Sequence, residues 1–285
     1  MNGHNRSSIF EYAILNGECI PAAQAQVSIF NQALLSSFGV YEAIKVERGR
    51  PFYLEGHLQR LLKSAQMLDL ALEVEVAMLV NWFELLNQVD PQATWRLTII
   101  AFGAVAAGDW PIIAMQPEPL RTYPDQLYRD GAQAVLFEGQ RALPACKSLN
   151  TLVNFLARRA ATQAGALEGL LHHAGYLTEG ARSNLFAVRQ GQLVTPPASA
   201  VLSGITRDLI VQVMKDTPYP VFEAWLSTDL SGYDEFFISS TSMHVMPVTR
   251  VGGQQIGSGQ VGPVTKLAMN RFQAHYRQVM GFQDE

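Results

Sequence analysis

Two dipeptides, Asn16-Gly17 and Arg48-Gly49, each interrupt a run in which apolar and polar residues alternate, "FEYAILNGECI" and "VYEAIKVERGRPFYL". Alternation at a period of two marks a half-buried strand, and a glycine-bearing turn inside such a run folds it back as a hairpin. "EGHLQRLLKSAQML" follows at once, with Leu58, Leu61, Leu62, Ala65 and Leu68 at the 3, 4, 7 spacing of one helix face. A second helix is expected over Val74–Val89, then strands at "RLTIIAF" and "PIIAMQ". Further along come a helix start after Lys147, a strand-like "GLLHHA", a third hairpin in "NLFAVRQGQLVT", the apolar run "DEFFISS" and a closing helix after Gly262-Pro263. Proline suits that position because its missing N–H has no partner to lose there. Hairpins interleaved with helices, in place of a strict strand-helix-strand succession, specify an α/β chain with mixed sheets and not a doubly wound nucleotide fold. Neither a GxGxxG nor a GxxxxGKS phosphate-binding sequence is read in it, and no fixed period marks a repeat protein.

At 285 residues and 48% apolar, the chain is long for one compact unit. "PEPLRTYPDQLY" combines three prolines with polar residues and no periodicity, which suits a linker. The expected division is a small N-terminal α/β domain over residues 1–117, a linker over 118–128 and a larger C-terminal domain over 129–285. A formal net charge of −4 offers no basic face to a polyanion, and the uncharged stretch Leu97–Gly108 is too short to span a bilayer. Nucleic acid and membrane are therefore not expected as partners. "MNGHNRSSIFEYAILNG" has no basic region ahead of a clean apolar run, since Glu11 interrupts it, so a cytoplasmic protein without a secretion signal is expected. Cys19 and Cys146 stand far apart with no CxxC or histidine spacing, which points to free thiols and no metal site.

Five segments stand out in order: "HLQRL" at 57–61, "KSLN" at 147–150, "GYLTEGARSNLF" at 175–186, "LSGITRD" at 202–208 and "SSTSMHVMPV" at 239–248. Together they resemble the class IV aminotransferases, the fold-type IV pyridoxal-phosphate enzymes, which include branched-chain aminotransferases, D-amino acid aminotransferases and aminodeoxychorismate lyase. The resemblance runs from the hairpin at Asn16 to Gly262. It implies a two-domain α/β fold with pyridoxal 5'-phosphate in the interdomain cleft, a homodimer, and amino transfer between an amino acid and a 2-oxo acid.

Taken alone, Lys147 reads as a solvated lysine near a helix start. Within the resemblance it is the lysine bonded to the cofactor aldehyde, a task for an amine that condenses reversibly and then carries the α-proton. Arginine, always charged, fails there. Glu179, by default a solvated or capping carboxylate, becomes the acid that faces the pyridine nitrogen and keeps the ring an electron sink. Arg182, Ser183 and Asn184 are its expected supports. Gly204 before a helix start offers the N–H groups of Ile205 and Thr206 and a helix dipole to the phosphate, although an ordinary cap uses the same residues. The resemblance further makes Arg60 the charged phosphate ligand, gives Thr241 a hydroxyl and a backbone N–H toward the cofactor, and packs Leu202 on its ring. Without it, Arg60 is a solvated helix arginine and Leu202 belongs to the core.

On the substrate side, "GVYEAIKV" resembles D-amino acid and related aminotransferases, with Tyr41 and Lys45 directed to the substrate. The lyases carry small hydroxyl residues around the position of Glu42, so transamination is favoured. Aminodeoxychorismate cleavage is the alternative, with a non-catalytic binding protein on the same scaffold behind it. "TWRLTIIAFG" has Ala101-Phe102 in place of the second arginine of the D-amino acid enzymes, and Trp95 where branched-chain enzymes have tyrosine. The expected substrate set is Tyr41, Lys45, Arg96, Ser242 and Met243, with backbone N–H groups near Thr241. Period-two pleating leaves open which face Arg96 takes. Trp95, Phe102 and Met243 suit an apolar side chain or the core equally. The expectation is an aminotransferase preferring apolar, branched-chain amino acids.

Overall fold

Both N-terminal hairpins close on left-handed turns. In the computed structural model, which describes residues 7–104 and 110–282, φ is 47° at Asn16, 93° at Gly17, 51° at Arg48 and 71° at Gly49. Two successive positive φ angles match the twist of the strands they join. They connect β1 (Tyr12–Leu15) to β2 (Glu18–Pro21), and β3 (Gly39–Glu47) to β4 (Arg50–Pro51), with helix α1 (Gln32–Ser36) between the hairpins. Residues 1–6, part of the segment read for a secretion signal, and residues 105–109, at the end of the uncharged stretch, lie outside the described residues.

Helices α2 (Leu54–Met67) and α3 (Val76–Asn87) lead to β5 (Trp95–Phe102) and β6 (Ile112–Glu118). The strands form a sheet in the order β2-β1-β6-β5-β3-β4, each neighbour antiparallel. Pleating sends Val40, Ile44 and Val46 of β3 into one core with Leu58, Leu61 and Ala65 of α2 and Leu97, Ile99 and Ala101 of β5. Glu42 takes the same face and is fully buried among them. The opposite face carries Tyr41, Ala43 and Lys45, paired across the sheet with Ile100, Thr98 and Arg96. Trp95 is fully buried and stacks on Phe83 of α3, ring centroids 6.1 Å apart, so its indole serves the core and not a pocket.

The chain divides into one unit of Met1–Arg121 with Cys146–Asn150 and another of Thr122–Ala145 with Thr151–Glu285. Packing claims most of the stretch read from sequence as a linker. β6 reaches Glu118, α4 (Asp125–Asp130) starts after Pro124, and Tyr123, Leu127 and Tyr128 pack on the second core. Cys146–Asn150, placed by the sequence reading in the C-terminal domain, joins the first unit because its backbone pairs with β3: Tyr41 N–H donates to Lys147 O at 3.0 Å, and Leu149 N–H to Gly39 O at 2.9 Å.

In the second unit β7 (Ala132–Glu138) and β8 (Glu168–His173) run parallel, with α5 (Leu152–Gln163) as the crossover helix. The remaining strands are β9 (Tyr176–Gly180), β10 (Asn184–Arg189), β11 (Gln192–Thr195), β12 (Val221–Glu223), β13 (Leu226–Ser227), β14 (Glu235–Ser240), β15 (His244–Val251) and β16 (Gln254–Gln255). Helix α6 (Ile205–Met214) precedes β12, and α7 (Pro263–Met280) follows β16. β10 pairs with β14 along its length and with β9 at the single couple Asn184 and Glu179. That one couple closes β9, β8, β7, β15, β14 and β10 into a ring.

Gly257–Gly262 does have the GxGxxG spelling just ahead of α7, against the expectation that the chain carries none. It follows the antiparallel β16 and not a parallel strand. Glu235 accepts from Val264 N–H at 3.1 Å and from Thr265 N–H at 2.7 Å, so a carboxylate of the chain itself caps the helix where a nucleotide fold binds phosphate. Trp95→Ala is expected to cost about 3–5 kcal/mol of unfolding free energy, read from urea denaturation; a loss under about 1 kcal/mol contradicts its place in the core.

Candidate active site

Cys146–Asn150 lies along β3, with an antiparallel bridge between Val40 and Ser148. Helix α2 grips the same segment: Ser64 O accepts from Cys146 Sγ at 3.4 Å, and Ser64 Oγ accepts from Lys147 N–H at 3.2 Å. Lys147 thus has both its N–H and its carbonyl fixed. Its Nζ stands 4.4 Å from the centroid of the Tyr41 ring, and the residue is half-buried. Cys146, fully buried, is a packing residue of the first core.

His57, Arg60 and Ser64 share a face of α2 at spacings of three and four. Arg60 Nε donates to Glu42 Oε1 at 2.7 Å and its Nη2 to Oε2 at 2.8 Å, a bidentate pair. His57 Nδ1 lies 2.8 Å from Glu42 Oε2. An ionised carboxylate only accepts, so the proton sits on Nδ1 and Nε2 is left an acceptor, buried without a hydrogen-bond partner among the described residues. Burial alone would raise the Glu42 pKa, but the Arg60 guanidinium, with help from His57, outweighs it and holds the carboxyl well below the usual range. Burial lowers His57 more than Glu42 raises it, so the imidazole is neutral and Arg60 supplies the positive charge.

In the second unit Glu179 is buried at the couple that closes the ring. Its Oε1 lies 3.3 Å from Arg141 Nη1, which also donates to Pro144 O at 2.8 Å, and its Oε2 accepts from Leu202 N–H at 3.1 Å. Asn184 Nδ2 donates to Leu202 O at 2.9 Å, and a Cβ on Gly204 would stand 2.0 Å from Asn184 Oδ1. A Cβ there would force the Asn184 amide away from its bond to Leu202 O. Helix α6 then begins at Ile205 with no side-chain cap, so its first N–H groups, those of Ile205 and Thr206, lack intrahelical partners. Thr241 and Ser242 form the half-exposed turn between β14 and β15.

Arg182 and Ser183, expected beside Glu179, serve a different carboxylate. Glu168 accepts from Ser183 Oγ and from Gly169 N–H, each at 3.1 Å, with the Arg182 charge nearby. Burial raises its pKa against all three.

The expected substrate set is only partly assembled. Lys45 and Arg96 oppose one another on the Tyr41 face, four residues and about 13 Å along β3 from Tyr41. Both are already paired, Lys45 Nζ with Glu47 at 2.9 Å and Arg96 with Glu118. The Met243 side chain is buried in the second core, and its carbonyl accepts from Tyr128 Oη at 3.0 Å. A side chain consumed by packing does not line a pocket.

The sequence profile described as amino-transferase class IV matches residues 39–251. The chain is a class IV aminotransferase. It is similar to a D-alanine aminotransferase of Staphylococcus aureus, 32% identical over 275 residues that span 93% of this chain and 98% of the relative. Among solved structures, a branched-chain amino acid aminotransferase of Escherichia coli superposes with a TM-score of 0.86 at 30% identity, covering 96% of both chains. A branched-chain amino acid aminotransferase of T.th., solved with pyridoxamine 5'-phosphate, gives 0.84 at 27%, covering 95% of both. The fold-type IV architecture and the pyridoxal-phosphate dependence expected from the motifs therefore hold for this aminotransferase.

Its residues suit that cofactor. The uncapped start of α6, approached through a glycine that admits no Cβ, fits a phosphate. A buried carboxylate already oriented by a guanidinium and a backbone N–H fits a ring nitrogen that must hold a proton. Three neighbours were missed from sequence. Arg141 has no pattern to announce it, whereas Glu42 is a charge in register with Val40, Ile44 and Val46, and His57 lies one turn before Arg60.

Glu168 gives a pH test. Its folded pKa lies above the ordinary 4.5, so the native state keeps the proton longer than the unfolded chain and stability falls as pH rises past that value. Glu168→Gln removes this contribution. Its stability relative to wild type is expected to improve as pH rises above about 4.5 in urea unfolding; a decline over that rise contradicts the burial argument.

Proposed function

We propose that this class IV aminotransferase prefers amino acids with apolar side chains, branched-chain ones first, and works as a cytosolic homodimer. The carrying observation is the sheet face beside Lys147. Tyr41 pairs across it with Ile100, and Gly39 with Phe102, so the near part is aromatic and aliphatic. Its cations Lys45 and Arg96 are neutralised by Glu47 and Glu118. Drawing either to a distal substrate carboxylate breaks an ion pair it already makes, so neither cation is free to favour an acidic side chain. The homodimer reading is supported by Ile29, Phe30 and Leu35 around α1, exposed by 87%, 88% and 95%, an apolar group of the kind that subunit contacts cover. Among the described residues no helix is long and apolar enough to cross a membrane.

When bound, pyridoxal phosphate supplies a carbonyl that exchanges amines and a ring that takes up the electron pair left by proton removal. In this reading Lys147 would hold it through Nζ and would move the substrate's α-proton at the same atom. Glu179, oriented by Arg141 and the Leu202 N–H, holds a proton at the pyridine nitrogen. The N–H groups of Ile205 and Thr206, following Gly204, hold the phosphate with Arg60 and Thr241, and Leu202 packs on the ring. Tyr41 and the backbone N–H groups of Thr241 and Ser242 receive the substrate carboxylate. Lys45, Arg96 and the Met243 side chain stand outside this assignment.

Single-turnover conversion of bound pyridoxal phosphate to pyridoxamine phosphate tests the substrate reading. Leucine is expected to exceed glutamate and aspartate by roughly tenfold or more, with D-alanine run alongside; faster reaction of the acidic pair sinks it. Arg60→Ala is expected to weaken cofactor retention, whereas Glu179→Gln keeps the cofactor but slows the half-reaction by about a hundredfold or more. Equal cofactor loss in both variants contradicts the division of roles.

A further inference from the structure

Glu42 is a fully buried carboxylate on the core face of β3, flanked on that face by Val40 and Ile44. Apolar residues can commonly replace a buried ion pair without loss of stability, so a charge in this register calls for a purpose other than holding the sheet. Its contacts supply one. Arg60 meets the carboxylate through Nε and Nη2, which share one edge of the guanidinium, and this leaves Nη1 on the other edge, away from Glu42. Two bonds to one edge stop the plane from turning, and the arginine side chain is only 11% exposed. His57 bonds the carboxylate through Nδ1 at 2.8 Å and lies 3.4 Å from Arg60 Nη2, so Glu42 is itself held in place from behind.

We propose that Glu42, backed by His57, is the positioning residue for Arg60: it fixes the guanidinium and offsets part of its charge before a phosphate arrives. This rests on the aminotransferase reading with Arg60 as a phosphate ligand. A long side chain ordered in advance loses less conformational entropy on binding than one the ligand must order. Glu42 acts only through Arg60. Its influence is therefore confined to ligands that carry the phosphate, and it vanishes when Arg60 is removed.

The test titrates cofactor-free protein with pyridoxal phosphate and, separately, with pyridoxal, following tryptophan fluorescence in wild type, Glu42→Gln, Arg60→Ala and the double variant. Glu42→Gln is expected to weaken pyridoxal phosphate binding by about tenfold or more, the scale of a charged hydrogen bond, and to leave pyridoxal within about twofold of wild type. The double variant is expected to match Arg60→Ala, because the two residues act as one. Equal weakening toward both ligands, losses that add in the double variant, or wild-type affinity in Glu42→Gln each overturn the proposal. Wild-type protein that takes up no pyridoxal phosphate overturns the aminotransferase reading as well, which separates the two failures. If Glu42→Gln does not fold, Glu42→Asp keeps the charge with a shorter reach, and the same phosphate-selective loss is expected; its absence there overturns the proposal equally.

Discussion

Two backbone hydrogen bonds, from Tyr41 N–H to Lys147 O and from Leu149 N–H to Gly39 O, decide where Lys147 stands. They take five residues out of the loop between β7 and α5 and attach them to β3. The approach is close enough that a Cβ at Gly39 would lie 2.6 Å from Leu149 Cδ1 and 2.4 Å from Ala101 O, so glycine is the residue that permits it. The alternation of one strand then sets the rest of this half of the site. Tyr41 points one way, with its ring beside Lys147 Nζ, and Glu42 the other, into its pair with Arg60.

Buried carboxylates recur through the molecule, and their neighbours separate their behaviour. Glu42 and Glu168 are both removed from water, yet the first has a guanidinium in bidentate contact and stays ionic, while the second has a hydroxyl, two backbone N–H groups and the Arg182 charge, which burial outweighs, and drifts toward its neutral form. Glu235 spends its charge on the first N–H groups of α7. Burial is common to the first two, and the number and charge of the donors decides their protonation.

The hairpins at Asn16-Gly17 and Arg48-Gly49 and the apolar face of α2 were legible because each is encoded within a dozen residues. Lys147 and Glu179 stood out through the order of five motifs; alone, each looks like a surface charge. The attachment of Cys146–Asn150 to β3 was not legible, since it is made by backbone groups that any sequence carries. Neither was the pairing of Arg96 with Glu118, which needs the register of β5 on β6. Met243 reads from sequence as pocket or core alike because burial cannot be seen from a loop sequence: the turn it closes puts Thr241 and Ser242 partly outside and Met243 into the core.

The central claim is that Lys147 is the residue on which the chemistry turns. Borohydride reduction of the protein loaded with pyridoxal phosphate, followed by proteolysis and mass mapping, addresses it most directly. The reduced cofactor is expected on the peptide containing "ACKSLN", attached to Lys147. Attachment to any other lysine contradicts it.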